Sequence, residues 1–275
     1  MLQHFQINPE QTELILSDLV EVYGYDFTSY SRASLVRRIN RLISMDRFTS
    51  FAEFRFRVRD DEHYLRRFVE QITVNVTEMF RDTGFYQTLR NEILPTLVSK
   101  PLIRIWHAGC STGEEVYSMA ILLEELGLLK KTLLYATDLN PSVLETVRKG
   151  IFPMRFMKQY SENYIQSGGT REFSSYYTAQ YDLAKFDSGL QSRIILSTHN
   201  LVSDGSFNEF HVILCRNVMI YFEKDLQERA LQLFDDSLET LGYLALGTKE
   251  TIKFSMISRK YKQVKATERI WKKIA

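Results

Sequence analysis

The order of apolar and polar positions is most telling between residues 103 and 127. The apolar run Ile103-Arg104-Ile105-Trp106-His107-Ala108 gives way to the turn Gly109-Cys110-Ser111-Thr112-Gly113. Glu114-Glu115 then open an amphipathic stretch from Val116 to Leu126, followed by Gly127. Such a succession predicts strand, tight loop and helix, the opening unit of a nucleotide-type α/β sheet. A second apolar run, Thr132 to Thr137, predicts the next strand, with Asp138 at its carboxyl end. The helix after it is well punctuated: Asn140 caps it, Pro141 fits its first turn and Gly150 closes it. Further strands are predicted at Arg193 to Ser197, Phe210 to Leu214 and Gly242 to Gly247, with a terminal hairpin from Tyr261 to Val264 and Arg269 to Lys273. Between Tyr160 and Asn200, the Gly168-Gly169 turn and the Tyr176 to Tyr181 run predict short antiparallel strands inserted into the sheet. Nearer the N-terminus, Ser31 to Ser44 places Leu35, Ile39 and Leu42 on one stripe and turns Arg37 and Arg41 away from it, the pattern of an amphipathic helix.

The acidic residues on this frame narrow the ligand. A helix N-terminus above a glycine turn ordinarily attracts phosphate, but Glu114 and Glu115 put two negative charges where a dinucleotide's pyrophosphate would lie. S-adenosylmethionine carries no phosphate; its ammonium and sulfonium outnumber its one carboxylate, so a neighbouring glutamate favours it. Asp138 can accept both ribose hydroxyls, as acids at this point of such sheets do. Structural alternatives exist for both: Thr112 and Glu115 also fit a capping box, and Asp138 fits a plain loop acid.

Composition adds bounds rather than chemistry. With 275 residues, 44% of them hydrophobic, the chain can bury a sizeable core in one large or two modest domains. The two cysteines, Cys110 and Cys215, sit at strand ends without paired metal spacing, so neither a disulfide framework nor a zinc site is read. No stretch approaches the roughly 18 apolar residues of a membrane span, and no signal peptide is read; a soluble, intracellular protein is expected. Residues 1 to 85 hold arginines but no lysine, and from Arg32 to Arg59 the only acids are Asp46 and Glu53. On the residues alone, that basic face is read as a solvated helix surface. Nucleic acid is disfavoured, because stacking aromatics do not interleave with the arginines and the net charge is only +1.

Five motifs occur in order: Ile72-Thr73-Val74-Asn75-Val76-Thr77-Glu78-Met79-Phe80-Arg81-Asp82, the Cys110 to Glu115 turn, Ala136-Thr137-Asp138, His199-Asn200-Leu201, and Cys215-Arg216-Asn217-Val218-Met219-Ile220-Tyr221-Phe222. Together they resemble the CheR-type glutamate O-methyltransferases, which methylate chemoreceptors in bacterial chemotaxis. The resemblance runs from about Tyr25 to about Lys253. It implies that Asn75, Thr77, Arg81, Glu115, Asp138, Asn200, Leu201, Arg216 and Asn217 surround S-adenosylmethionine and its product S-adenosylhomocysteine. It further implies that Arg81 and Tyr221 hold the acceptor carboxylate, and that Arg37, Arg38 and Arg41 meet an acidic helical segment of a receptor. One departure is visible, because Met79 stands where the family usually has Phe; the volumes are similar and little effect is expected.

The expected fold is therefore α/β: a doubly wound, Rossmann-like S-adenosylmethionine-dependent methyltransferase with a helical N-terminal domain and a small inserted antiparallel β-subdomain. The expected boundaries are 1–84 for the helical domain with its linker, 85–275 for the methyltransferase domain, and about 170–195 for the insertion. A cytoplasmic monomer without metal, and with no direct membrane insertion, is expected. Two other readings stay open: a methyltransferase of the same fold acting on another signalling protein, and a non-catalytic module that binds S-adenosylmethionine.

Overall fold

The computed structural model describes residues 5–73 and 76–275. The chain divides into two compact units, one of Met1–Asn75 with Tyr221–Ala230, the other of Val76–Ile220 with Leu231–Ala275. This contact division falls earlier than the 84/85 boundary and assigns a late segment, with Tyr221, to the helical unit.

The helical unit contains α1 (Pro9–Tyr23), α2 (Arg32–Met45), α3 (Phe51–Asp60) and α4 (Glu62–Ile72). Local chemistry sets the limits of α1: Asn8 and Gln11 cap each other reciprocally, Pro9 occupies the first turn, and Gly24 closes the helix at φ 73°. On α2, Leu35, Ile39 and Leu42 are buried while Arg37 and Arg41 are exposed, as the stripe predicts. The core of the unit is aromatic around Phe54, whose ring meets Phe48 edge-on at 5.3 Å between centroids.

The basic face is smaller in space than along the chain. Buried Asp18, on α1, takes Arg55 at 2.6 Å and Arg59 at 3.4 Å. Asp46 takes Arg67, Asp61 takes Arg57 and Glu13 takes Arg32. Among the described residues, Arg37, Arg38, Arg41 and Arg47 are left without an ion pair.

The other unit runs α5 (Thr83–Thr88), β1 (Ile103–Ala108), α6 (Glu114–Glu125), β2 (Thr132–Asp138), α7 (Pro141–Lys149), β3 (Ile151–Pro153) and α8 (Met157–Gln166). It continues through β4 (Tyr177–Gln180), β5 (Leu183–Phe186), the single turn α9 (Ser188–Gln191), β6 (Ile194–Thr198) and β7 (Phe210–Cys215). After α10 (Lys224–Ser237), which the two units share, come β8 (Leu238–Leu246), β9 (Tyr261–Lys265) and β10 (Ile270–Lys273). Among the described residues the main sheet has the order β6-β2-β1-β7-β8-β10-β9. Its strands are parallel from β6 to β8, and β10 and β9 close it as the antiparallel hairpin foreseen in the sequence. β1 lies between β2 and β7, and every residue from Ile103 to Ala108 except the half-buried Arg104 is buried, as for an interior strand covered on both faces. Trp106 on β1 is fully buried, and its indole N–H donates to Thr137 Oγ1 at 2.8 Å.

The inserted sheet has the order β3-β5-β4 and is antiparallel. Its β4–β5 hairpin falls within residues 170–195, but its third strand, β3, comes from before that range, and the strand expected at Arg193 to Ser197 is β6, an edge of the main sheet. Three residues carry no alternation to read, which is why β3 escapes a sequence pattern.

Glu125, the last residue of α6, pins this insertion. Its buried carboxylate accepts bonds from Tyr164 Oη at 2.5 Å, Tyr176 Oη at 3.2 Å, the Thr170 N–H at 2.9 Å and Thr170 Oγ1 at 2.8 Å, and pairs with Arg90. Burial alone would raise its pKa; the bonds from Tyr164, Arg90 and Thr170 outweigh that and lower it to about 2. A carboxyl depressed in the folded state stabilises above its unfolded pKa and loses that contribution as pH falls through the folded value. Glu125→Gln is therefore expected to cost on the order of 3 kcal/mol at neutral pH, with the gap between variant and wild type closing between about pH 4.5 and 2. Urea unfolding at a series of pH values measures it, and a pH-independent gap would refute the assignment.

Candidate active site

The carboxyl ends of β1, β2, β6 and β7 carry Glu115, at the start of α6, with Asp138, Asn200, Leu201, Arg216 and Asn217. After β1 the chain turns through Gly109 at φ 76°, Ser111 at φ 52° and Gly113 at φ 98°. A Cβ on Gly109 would stand 2.6 Å from Val218 Cγ2, so the close approach of this loop to the turn after β7 requires glycine. The N–H groups of Gly109 and Cys110 both donate to the Thr137 carbonyl at 2.9 Å, binding the loop to the end of β2. The capping box does not form: Gly113 caps α6 without a side-chain bond, and Thr112 Oγ1 donates instead to Glu114 Oε2 at 2.6 Å. A Cβ on Gly113 would stand 2.8 Å from Val147 Cγ2, so this cap packs against α7 and leaves no room for a side chain.

Asp138 joins two of these loops. One carboxylate oxygen accepts the Ser111 N–H at 2.9 Å and the other the Asn140 N–H at 3.0 Å, leaving lone pairs on both for further donors. Burial raises its pKa, against the opposing amide bonds from Asn140 and Ser111. The His199 N–H donates to the Asp138 carbonyl at 3.2 Å, which brings the end of β6 to the same place. There Asn200 is buried, with its Oδ1 accepting the Val202 N–H at 2.9 Å, and Leu201 is buried beside it. Ser111 Oγ, Asn140 Nδ2 and Arg216 Nε are buried without a hydrogen-bond partner among the described residues. Buried polar atoms are seldom left so, and these three sit on loops at one edge of the sheet, where a polar ligand would satisfy them.

Glu115 and Arg216 form the second half. Arg216 donates to Asp82 Oδ2 at 2.6 Å and to Glu115 Oε2 at 3.3 Å, while its guanidinium lies 4.0 Å from the centre of the Phe85 ring. His107 Nδ1 is 2.9 Å from Glu115 Oε1; with a carboxylate as acceptor, that nitrogen carries the proton. Burial would raise Glu115, but the bonds and charges of His107 and Arg216 prevail and its pKa is lowered, so it is ionised at neutral pH. Around Arg216, Asp82, Glu115 and Asp138 form an acidic surplus among the described residues, which suits a sulfonium and an ammonium and repels a pyrophosphate. Burial raises both cysteine thiols, and Cys110 and Cys215 are packing residues.

Arg81 lies on a distorted turn between Phe80 at φ 54° and Asp82 at φ 60°. Neighbours hold this turn: the Phe80 N–H donates to Ser118 Oγ at 2.9 Å, and the Met79 carbonyl accepts from Asn163 Nδ2 at 2.9 Å. Met79 is fully buried, filling the place of the family's aromatic. Among the described residues Arg81 makes no ion pair. Thr77 is half-buried on the segment that leads into this turn, and Asn75 lies outside the described residues. In the helical unit, the Tyr221 carbonyl accepts the Ser31 N–H at 2.9 Å, and the half-buried Arg38 guanidinium lies 5.9 Å from the Tyr221 ring centre.

Sequence reasoning missed Glu250. One of its buried carboxylate oxygens accepts the N–H groups of Asn217 at 3.0 Å and Gly247 at 2.6 Å; the other accepts those of Val218 at 3.1 Å and Ile220 at 3.2 Å. It thereby fixes the turn in which Asn217 adopts φ 62°. The available signal was an acid three residues beyond Gly247, at the end of a strand; Asp82 was visible too, inside the first motif, but its partner is distant in sequence.

Asp138→Ala is expected to weaken S-adenosylhomocysteine binding by about 1.5 to 3 kcal/mol, the range for hydrogen bonds to a charged group. Titration calorimetry decides, and an unchanged affinity would remove the ribose role.

Residues 75–270 match the family described as CheR methyltransferase, SAM binding domain, and residues 10–73 match CheR methyltransferase, all-alpha domain. The protein called methyltransferase Cher3 of Pseudomonas putida is 43% identical over 263 residues, covering 96% of both chains. A chemotaxis protein methyltransferase of Listeria innocua is 32% identical over 88% of both chains, and chemotaxis protein methyltransferase 1 of Pseudomonas aeruginosa is 30% identical over 87% of this chain and 89% of its own. An acid-rich site on the loops of a mostly parallel sheet, preceded by a helical domain and matched over nearly the whole chain, has one reading: the chain belongs to the CheR family of S-adenosylmethionine-dependent methyltransferases.

Proposed function

We propose that this methyltransferase esterifies glutamate side chains on the cytoplasmic helices of a chemoreceptor. The observation that carries the reading is the contrast between two arginines, one in the first motif and one in the last. Arg216 is tied down by Asp82 and Glu115, whereas Arg81, on its distorted turn, makes no ion pair among the described residues. One arginine builds the donor pocket and the other is available for an incoming carboxylate.

Bound S-adenosylmethionine supplies a methyl carbon activated by the sulfonium. The chain's own task is placement. A glutamate carboxylate, with an ordinary pKa near 4.3, is already the nucleophile at neutral pH, so no general base is needed. Its oxygen forms the new bond to the methyl carbon as the carbon–sulfur bond breaks, and the pair left on sulfur neutralises the sulfonium. Arg81 grips one carboxylate oxygen and Tyr221 orients the other, so that the reacting atoms meet in line. Asp138 and Asn200 hold the donor's ribose and adenine side, and Glu115 with Asp82 sets the negative field around its charged end. Arg37 and Arg41, exposed on α2, steer acidic receptor helices towards the chain, which acts as a cytoplasmic monomer. No helix among the described residues is long and apolar enough to cross a membrane.

The test is incubation with methyl-labelled S-adenosylmethionine and the recombinant cytoplasmic fragment of a chemoreceptor. Label on the fragment that mild base releases as methanol supports the reading; stable label, or none on the fragment, overturns it.

A further inference from the structure

After β8 the chain does not turn directly into β9 but makes an excursion over residues 248–257, and this loop is built rather than loose. Ile252 and Ile257 are buried beneath it, and both the N–H and the Oγ of Ser255 donate to the Ile252 carbonyl, at 3.0 and 2.7 Å. Arg269 Nε holds the Thr248 carbonyl at 3.2 Å, and Glu250 ties the start of the loop to the turn that carries Asn217. From Ile252 to Ile257 the buried positions Ile252, Ser255 and Ile257 are interspersed with the exposed Lys253, Phe254 and Met256, and two of these exposed side chains are apolar. Phe254 is 92% exposed and Met256 85% exposed, between the exposed lysines Lys249 and Lys253 and the rest of the loop. Single exposed apolar residues are ordinary on protein surfaces. Here two project from one anchored loop whose other apolar side chains are buried, so the exposure is not fraying.

We propose that Phe254 and Met256, with Lys249 and Lys253 preceding them on the same loop, form a docking point for an acidic amphipathic helix of the protein acceptor. The inference rests on the esterification reading for the identity of that partner. Two features fix the occupant. The lysines complement carboxylates that flank a methylated glutamate, while Phe254 and Met256 match the apolar stripe such a helix carries. The loop is also continuous with the site: Glu250 anchors the loop through Gly247 and the Asn217–Ile220 turn through its amides. A helix seated on the tip is thus held in fixed register with the donor pocket. The loop selects a folded helical acceptor over a free carboxylate.

The test compares wild type with Phe254→Ala/Met256→Ala and with Lys249→Glu/Lys253→Glu, using the recombinant cytoplasmic fragment of a chemoreceptor. Calorimetry gives the affinity for the fragment whether or not methyl transfer occurs. Each double variant is expected to bind the fragment at least tenfold more weakly and to show the loss in KM rather than kcat. S-adenosylhomocysteine affinity and melting temperature should be unchanged, because the altered side chains are exposed. Equal affinity for the fragment in wild type and variants overturns docking at this loop. So does a wild-type dimer in sedimentation that the Phe254→Ala/Met256→Ala variant dissolves, since the occupant would then be a second copy. A wild type that binds the fragment through this loop but leaves no base-labile label on it overturns the esterification reading and leaves the docking point standing.

Discussion

Arg81→Ala is expected to lower turnover by about 10² to 10³-fold, the effect of removing one charged group that positions the reacting atoms, and to weaken donor binding as well. The dual loss follows from its place: the turn that carries it also presents Asp82 to Arg216, so Arg81 adjoins the donor pocket while keeping its own charge for the acceptor. Arg81→Lys restores the charge but not the planar fork, and recovery of only part of the rate is expected. Tyr221→Phe should reduce kcat with donor affinity kept within a few-fold, because Tyr221 is given no part in the donor pocket. Single-turnover kinetics with a receptor fragment separates the three. Full activity in Arg81→Ala would sink the mechanism.

Glu250→Ala is expected to destabilise the α/β unit by about 3 to 5 kcal/mol, through loss of a buried acceptor that serves four backbone amides. The Gln variant is informative, since one oxygen remains to accept while the new amide group points hydrogens at the N–H groups it should receive. A loss nearer to Ala than to wild type is expected. Donor affinity should fall with stability, because the Asn217 turn and the Arg216 beside it lose their anchor. Chemical denaturation with parallel calorimetry on S-adenosylhomocysteine reads both quantities, and a Glu250→Ala protein with native stability would show that water replaces the carboxylate at no cost.

What the sequence made legible was local. The strand-turn-helix at Ile103, the punctuation of α7 and the terminal hairpin all rest on residues within one or two turns of each other, and each appears in the fold: Asn140 accepts the Ser142 N–H, and Gly150 closes the helix at φ 59°. The acids Glu115 and Asp138 were legible for the same reason, as each sits at a fixed offset from a strand end. The rest depends on distant partners. Glu250 reads as a loop acid until its amide partners 30 to 33 residues upstream are seen. The arginine excess looked larger than it is because Asp18, which takes two of the arginines, lies on a different helix. β3 exists as a strand only because β5 returns to pair with it.

The burial of Trp106 has a practical consequence. The chain has two tryptophans, Trp106 and Trp271, and both are buried in the α/β unit, so the helical unit has none. Tryptophan emission, excited selectively over tyrosine, therefore follows the melting of the α/β unit alone, while far-ultraviolet circular dichroism also sees the helical unit. Coincident transitions would show that the two units unfold as one cooperative body, and separated transitions that each keeps its own stability. The indole of Trp106 also bonds Thr137, the neighbour of Asp138, and lies 5.2 Å from the His199 ring, so the same emission is expected to change when S-adenosylhomocysteine binds.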